Sequence, residues 1–168
     1  WDARYRDCHA AGVSGDVFEW FVEDLSAVAR WVAGNRGRGG EPPAGRVLDL
    51  CCGDSGLPRA LGELFEEVVA LDLSAAVIDI MTREQRGWPH VRYLRGDAAS
   101  LDVALLGGEA SFSAIVAKAA FDVLIHAEGG LAAERALLAA HQLLQDGGRL
   151  CIISQQKPEV LCGQFLDV

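Results

Sequence analysis

Three carboxylates and one glycine-punctuated turn hold most of the chemistry this sequence offers. Asp49, Asp72 and Asp97 each lie at or near the end of a short apolar run. Cys51, Gly53 and Gly56 follow the first of these with the spacing of G-x-G-x-x-G, the first glycine being replaced. With that spacing a buried strand turns into a helix, and the backbone N–H groups of the turn converge where an anionic or polar ligand would sit. Asp72 comes 19 residues after Gly53, where a carboxylate can accept hydrogen bonds from ribose hydroxyls. An Asp there is equally suited to cap a helix starting near Ser74. Gly96 and Asp97 combine a residue without a Cβ, against which a flat ring can lie, with an acceptor for an exocyclic amine. An Asp in a strand-to-helix turn is also common in its own right. Three acids along one edge repel a pyrophosphate and suit a nucleoside that carries positive charge.

These residues need elements to position them. Apolar runs suggest strands over 46–51, 68–71, 91–94, 112–117 and 149–154. Helical periodicity falls between them at 57–66, 75–86 and 131–144, the last ended by Asp146, Gly147 and Gly148. Segments 101–106 and 120–126 fit either helix or loop. Such alternation implies an α/β fold, a doubly wound and mainly parallel sheet with ligands bound at the carboxyl ends of its strands. Ahead of it, Phe18, Phe21, Val22, Leu25, Val28, Ala29 and Val32 recur at three- and four-residue intervals, predicting an amphipathic helix over 16–31 capped by Asp16. Trp20 falls off that stripe, as an edge-packed aromatic or a lid over a ligand would. Residues 34–45, with seven Gly or Pro among twelve, form a linker.

With 168 residues and 51% hydrophobic content, the chain makes one domain. We divide it into an N-terminal cap and linker over 1–45 and a ligand-binding core over 46–154. A net charge of −9 and a pI near 4.8 argue against nucleic acid, whose binding needs clustered Lys and Arg. Five cysteines without a C-x-x-C spacing point to neither a disulfide framework nor zinc, and so to a reducing compartment. No apolar run is long enough for a membrane span, so a cytoplasmic location is expected. The four histidines are scattered and give no general base.

The sequence resembles the class I S-adenosylmethionine-dependent methyltransferases. The likeness is carried by Asp49, Cys51, Gly53 and Ser55, then Asp72-Leu73-Ser74, then Gly96-Asp97-Ala98, and last by Gly147-Gly148-Arg149 leading into the fifth strand. Three further segments are similar to motifs of the eukaryotic lysine methyltransferases that act on translation elongation factors. They are Trp1-Asp2-Ala3-Arg4-Tyr5, Glu19-Trp20-Phe21 and Ala117-Lys118-Ala119-Ala120-Phe121-Asp122.

The resemblance implies a Rossmann-like fold and S-adenosylmethionine as cofactor. Trp1, Tyr5 and Trp20 would enclose the cofactor, and the backbone around Asp49, Cys51 and Gly53 would face its amino acid part. Asp72 with Leu73 would hold the ribose, Asp97 and Ala98 the adenine, and Lys118 would lie alongside. It implies a protein substrate with a target lysine, the alternatives being a small-molecule acceptor or a cofactor-binding protein without activity. Cys51 and Ala119 stand where the family has glycine, and Ala117 where it has an acid. Class I enzymes carry two more strands after the fifth, including an antiparallel hairpin, whereas only 155–168 follow here. The expectation is a truncated or reduced sheet whose free edge favours a dimer or a partner chain.

Overall fold

The computed structural model describes residues 1–10, 19–34, 44–84 and 87–165. Runs of Val, Leu and Ile that are apolar on both faces belong in the centre of a sheet, and the structure puts them there. Strands β1 (Ala44–Leu50), β2 (Phe65–Asp72), β3 (Val91–Arg95), β4 (Phe112–Lys118) and β5 (Leu144–Ile153) form one parallel sheet in the order β3-β2-β1-β4-β5. The chain winds outward from β1 through β2 to β3, then crosses to β4 on the other side of β1. The reversal opens a crevice at the carboxyl ends of β1 and β4.

Side chains alternate between the faces. Val47, Val68, Ala114 and Val116 are buried with α2 (Leu25–Ala33) and α3 (Leu57–Gly62). Leu48, Leu50, Val69, Ile115 and Ala117 are buried on the other face with α6 (Leu131–Leu143). The inner side of α6 carries Ala132, Ala133, Ala136 and Ala140, small enough for close approach to the sheet. Helix α4 (Ala75–Glu84) packs Val77, Ile78 and Met81 around Ala70 and Cys52. Short α5 (Phe121–Leu124) follows β4, and α7 (Pro158–Phe165) follows β5. No helix among the described residues is long and apolar enough to cross a membrane.

Several boundaries differ from expectation. The N-terminal helix starts at Leu25, where Asp24 caps it by accepting from the Ala27 N–H at 2.8 Å. Phe21 has φ +70°, which no right-handed helix accommodates. Val22 and Leu25 keep the apolar period because both pack into the core beside α2. The proposed cap Asp16 and Phe18 lie outside the described residues. Helix α3 stops at Gly62, short of 66, because Glu67 is drawn into β2 by ion pairs with Arg46 (2.7 Å) and Arg92 (3.4 Å) on the flanking strands. Strand β5 begins at Leu144, with the Asp146-Gly147-Gly148 turn inside it as an irregularity. Phe112 is opposite Leu144 while Ala114 is opposite Arg149, and Gly147 has φ +73°.

The opening residues form a helix of their own, α1 (Asp2–Ala10), which buries no residue. It is held at its start, where Asp2 accepts from the Ser74 hydroxyl and from the Ala76 N–H at 3.4 Å, at the beginning of α4.

Asp24→Ala is expected to lower stability by about 1 kcal/mol through loss of the cap, read as a fall in the denaturant midpoint with an unchanged slope.

Candidate functional site

Beyond the carboxyl ends of β1, β2 and β4 lies a cleft open to solvent. Trp1, Tyr5, Trp20, Cys51, Gly53, Asp72, Leu73, Asp97, Ala98 and Lys118 all line it, so ten of the expected residues meet at one place. Asp49 is the exception. It is 1% exposed and lies below the cleft surface, so it does not face a ligand directly. The histidines at 9, 90, 126 and 141 are exposed and away from the cleft.

The turn after β1 differs from the anion cradle its spacing suggests, because five of its N–H groups, those of Cys52, Gly53, Ser55, Gly56 and Leu57, already have partners. Cys52 donates to the Leu71 carbonyl at 2.9 Å and Ser55 to the Cys52 carbonyl at 3.3 Å. Gly53 donates to Asp72 Oδ2 at 3.0 Å. Gly56 donates to Glu19 Oε1 at 2.7 Å, and Leu57 to Ser55 Oγ at 3.1 Å. The Ser55 hydroxyl in turn donates to Glu19 Oε2 at 2.9 Å. The positive end of the α3 turn is therefore met by a carboxylate of the protein itself.

That carboxylate also pairs with Lys118, Nζ to Oε2 2.9 Å, both side chains being nearly buried. Glu19 thus joins the N-terminal segment to the turn and to the end of β4. It is the main residue the expected set lacks, although it stands in the Glu19-Trp20-Phe21 segment. The same segment brings Trp20 and Phe21 to the cleft. Arg4 of α1 lies with its guanidinium 5.6 Å from the Trp1 ring centre and 5.5 Å from that of Trp20, linking the two sides of the lip.

Each acid has a structural task as well. Asp72 Oδ1 accepts from the Ser74 N–H at 2.9 Å, so both of its oxygens hold backbone. Asp97 Oδ1 caps the short 3-10 turn Ala98–Ser100 through the Ala99 N–H at 2.9 Å. Asp122 Oδ1 ties the end of β5 through Ser154 Oγ and the Gln155 N–H, both at 3.0 Å, while its Oδ2 is buried with no hydrogen-bond partner. The space a Cβ would need at Gly96 is taken by Leu71, 2.8 Å away, so this glycine serves packing, and it does not line the cleft.

Burial pushes the Asp49 carboxyl up to about 7, with Lys118 opposing and Glu19 and Asp72 adding to the rise. Burial also raises Asp72, opposed by its two N–H donors. The Cys51 thiol is pushed up to about 12 and Cys52 well above its usual range, first by burial and then by the nearby carboxylates. Neither is a thiolate nucleophile at neutral pH. Among the described residues no group of acids, histidines and cysteines is arranged to hold a metal.

Strain is concentrated here. Phe21 (φ +70°), Cys51 (φ +61°) and Ala119 (φ +61°) are left-handed without being glycine, and all three line the cleft.

A family model described as a methyltransferase domain matches residues 47–148, more than half of the chain. The chain belongs to that family. Solved structures agree. The sugar N-methyltransferase KedS8 from Streptoalloteichus sp. is 26% identical, with a TM-score of 0.61 over 81% of this chain and 51% of that one. A TehB-like SAM-dependent methyltransferase from Corynebacterium glutamicum is 24% identical, with a TM-score of 0.57 over 89% and 68%. A geranyl diphosphate methyltransferase in complex with GPP and sinefungin is 21% identical, with a TM-score of 0.56 over 76% and 44%. No curated protein matches the chain. The chain spans about half the length of several of the structures it matches. The cofactor of this methyltransferase family is S-adenosylmethionine, of which sinefungin is an analogue. A cleft rich in carboxylates, walled by Trp1, Tyr5 and Trp20 and with its Gly53 and Gly56 amides already bonded to Asp72 and Glu19, fits an adenosyl group bearing a sulfonium.

Two outcomes follow. Ala119→Gly is expected to stabilise the methyltransferase domain by about 0.5–1 kcal/mol, the left-handed strain relieved exceeding the added chain entropy. Cys51→Gly should gain less, because it also removes packing against the core. Chemical denaturation compares them with the wild type. For Asp49, the folded carboxyl at about 7 lies above its ordinary 3.8. Between those values the folded state holds a proton that the unfolded chain has released, so stability falls as pH rises from about 4 to 7. Asp49→Asn should remove that part of the slope, and parallel profiles for the two proteins would contradict it.

Proposed function

We propose that this methyltransferase domain binds S-adenosylmethionine in the cleft and transfers its methyl group to an amine nitrogen, the acceptor being a lysine of a protein substrate. The observation that carries the reading is the carboxylate-rich, aromatic-lipped cleft, whose Gly53 and Gly56 amides are held by Asp72 and Glu19.

When bound, the cofactor supplies a methyl group activated by a positively charged sulfur. The chain's own task is to bind, orient and exclude water. Asp72 keeps lone pairs for the ribose hydroxyls while its Oδ1 and Oδ2 hold Ser74 and Gly53 in place. Leu73 and Ala98 offer apolar surface, and Asp97 an acceptor, to the adenine. The turn at Cys51 and Gly53 faces the amino acid part, with Asp49 buried beneath it. Trp1, Tyr5 and Trp20 close the lip. An ammonium acceptor must lose its proton, at about 4 kcal/mol for a lysine at pH 7.4. Asp122 lines the cleft with a buried oxygen that has no partner, and we assign it to orient the amine and receive that proton.

The lysine reading rests on three separate segments, 1–5, 19–21 and 117–122, which resemble lysine methyltransferases and each contribute to this cleft. A small-molecule amine is the second reading, favoured by the 26% identity to a sugar N-methyltransferase. Radiolabelled methyl transfer to a lysate separates them. A labelled protein band, with label on lysine, supports the first. Label confined to small molecules supports the second, and absence of label in both fractions overturns methyl transfer by this domain.

Asp72→Asn retains one oxygen acceptor and is expected to weaken S-adenosylhomocysteine binding at least about 10-fold, as loss of a charged hydrogen-bond acceptor does. Unchanged affinity by calorimetry would remove Asp72 from the ribose.

A further inference from the structure

Glu19 does not line the cleft, yet it governs the charge of a residue that does. Among the described residues Lys118 is the one lysine or arginine lining it, together with Asp54, Asp72, Asp97 and Asp122. Its ammonium lies 2.9 Å from Glu19 Oε2, with side-chain exposures of 5% and 12%. The Glu19 carboxylate is fixed from three sides, by Lys118, by the Ser55 hydroxyl and by the Gly56 N–H at 2.7 Å. The pairing is therefore built in and does not depend on a mobile surface contact. Two opposite charges at this distance largely offset each other for a ligand several ångströms away, leaving the surrounding carboxylates to dominate the field.

We infer that Glu19 sets the cleft's preference for a cationic over a neutral sulfur ligand by neutralising Lys118. The inference rests on the cofactor reading given above. It makes Glu19 a positioning and specificity residue, distinct from the groups that touch the cofactor. S-adenosylmethionine carries a sulfonium, and its product S-adenosylhomocysteine carries a neutral thioether. Both present the same adenosine and the same amino acid group. Loosening of the turn or loss of a contact to their shared parts changes both affinities together, whereas an uncompensated ammonium beside the site penalises only the cation. The ratio of the two affinities thus reports charge and is blind to a merely structural role. A cleft biased towards the cation also favours reactant over product, which assists product release.

The test is calorimetric titration of the wild type, Glu19→Gln, Lys118→Met and the double variant with each ligand separately, at low salt. Glu19→Gln keeps an oxygen for the Gly56 N–H and Ser55, and circular dichroism checks its fold. The ratio of affinity for S-adenosylmethionine over S-adenosylhomocysteine should fall about 10-fold in Glu19→Gln, a size set by one unit charge at several ångströms in a partly screened site. It should return to within about 2-fold of wild type when Lys118→Met is added, and should not fall in Lys118→Met alone. If Glu19→Gln does not fold, the double variant is compared with Lys118→Met, since removing the Glu19 charge there should lower the ratio by a similar factor of about 10, and equal ratios in those two variants overturn the inference. An unchanged ratio in Glu19→Gln, or a fall that the double variant does not reverse, overturns the inference while both ligands still bind. Failure of the wild type to bind either ligand overturns the cofactor reading instead.

Discussion

The site depends on where the amide groups of the turn after β1 send their hydrogen bonds. A turn that opens a helix leaves N–H donors which a dinucleotide fold gives to phosphate. Here Gly53 gives its donor to Asp72, Gly56 to Glu19, and Leu57 to a serine hydroxyl that itself donates to Glu19. A buried donor left unmade costs about 1–3 kcal/mol, so these two carboxylates hold the turn firmly. They also replace the charge a phosphate would bring. What remains at the cleft is negative potential and aromatic surface, the surroundings a cationic nucleoside requires.

The same bonds tie distant pieces of sequence together. Asp72 ends β2, while Glu19 belongs to the segment ahead of α2 and pairs with Lys118 at the end of β4. Once Glu19 is seated, Trp20 and Phe21 are carried to the rim, and Arg4 bridges from Trp20 to Trp1 on α1. α1 buries no residue fully, so its position relies on these contacts, on Tyr5 packed against the α4 cluster, and on Asp2 at the start of α4. The left-handed backbone at Phe21, Cys51 and Ala119 lies along the same rim. The surrounding packing holds non-glycine residues in conformations they rarely adopt, as functional sites often do.

Much of this is legible in the sequence because it follows from local patterns. Val47, Leu48 and Leu50, or Ile115 and Val116, are apolar on both faces, so central parallel strands are the natural reading. Asp72 and Asp97 end their strands by type and spacing. Illegible are the features decided by partners far along the chain. Glu67 favours helix locally yet joins β2 because Arg46 and Arg92 lie on either side. Gly96 reads as room for a ligand, but Leu71 fills it. Asp49 reads as a ligand contact, yet burial sets it beneath the floor. Glu19 reads as one acid in an amphipathic stretch, since nothing nearby in sequence indicates Ser55, Gly56 or Lys118. Periodicity likewise extends the N-terminal helix across Phe21, whose positive φ only the tertiary structure reveals.

The central claim is that the two glycine donors of the turn, Gly53 and Gly56, are already spent on carboxylates, so that the cleft accepts a cationic nucleoside and refuses a pyrophosphate. Competitive titration of the wild-type domain with S-adenosylmethionine and a nicotinamide dinucleotide tests it most directly. The account predicts saturable binding of S-adenosylmethionine that millimolar dinucleotide does not displace. Tight binding of the dinucleotide, or its displacement of the sulfonium ligand at equal concentration, would contradict it.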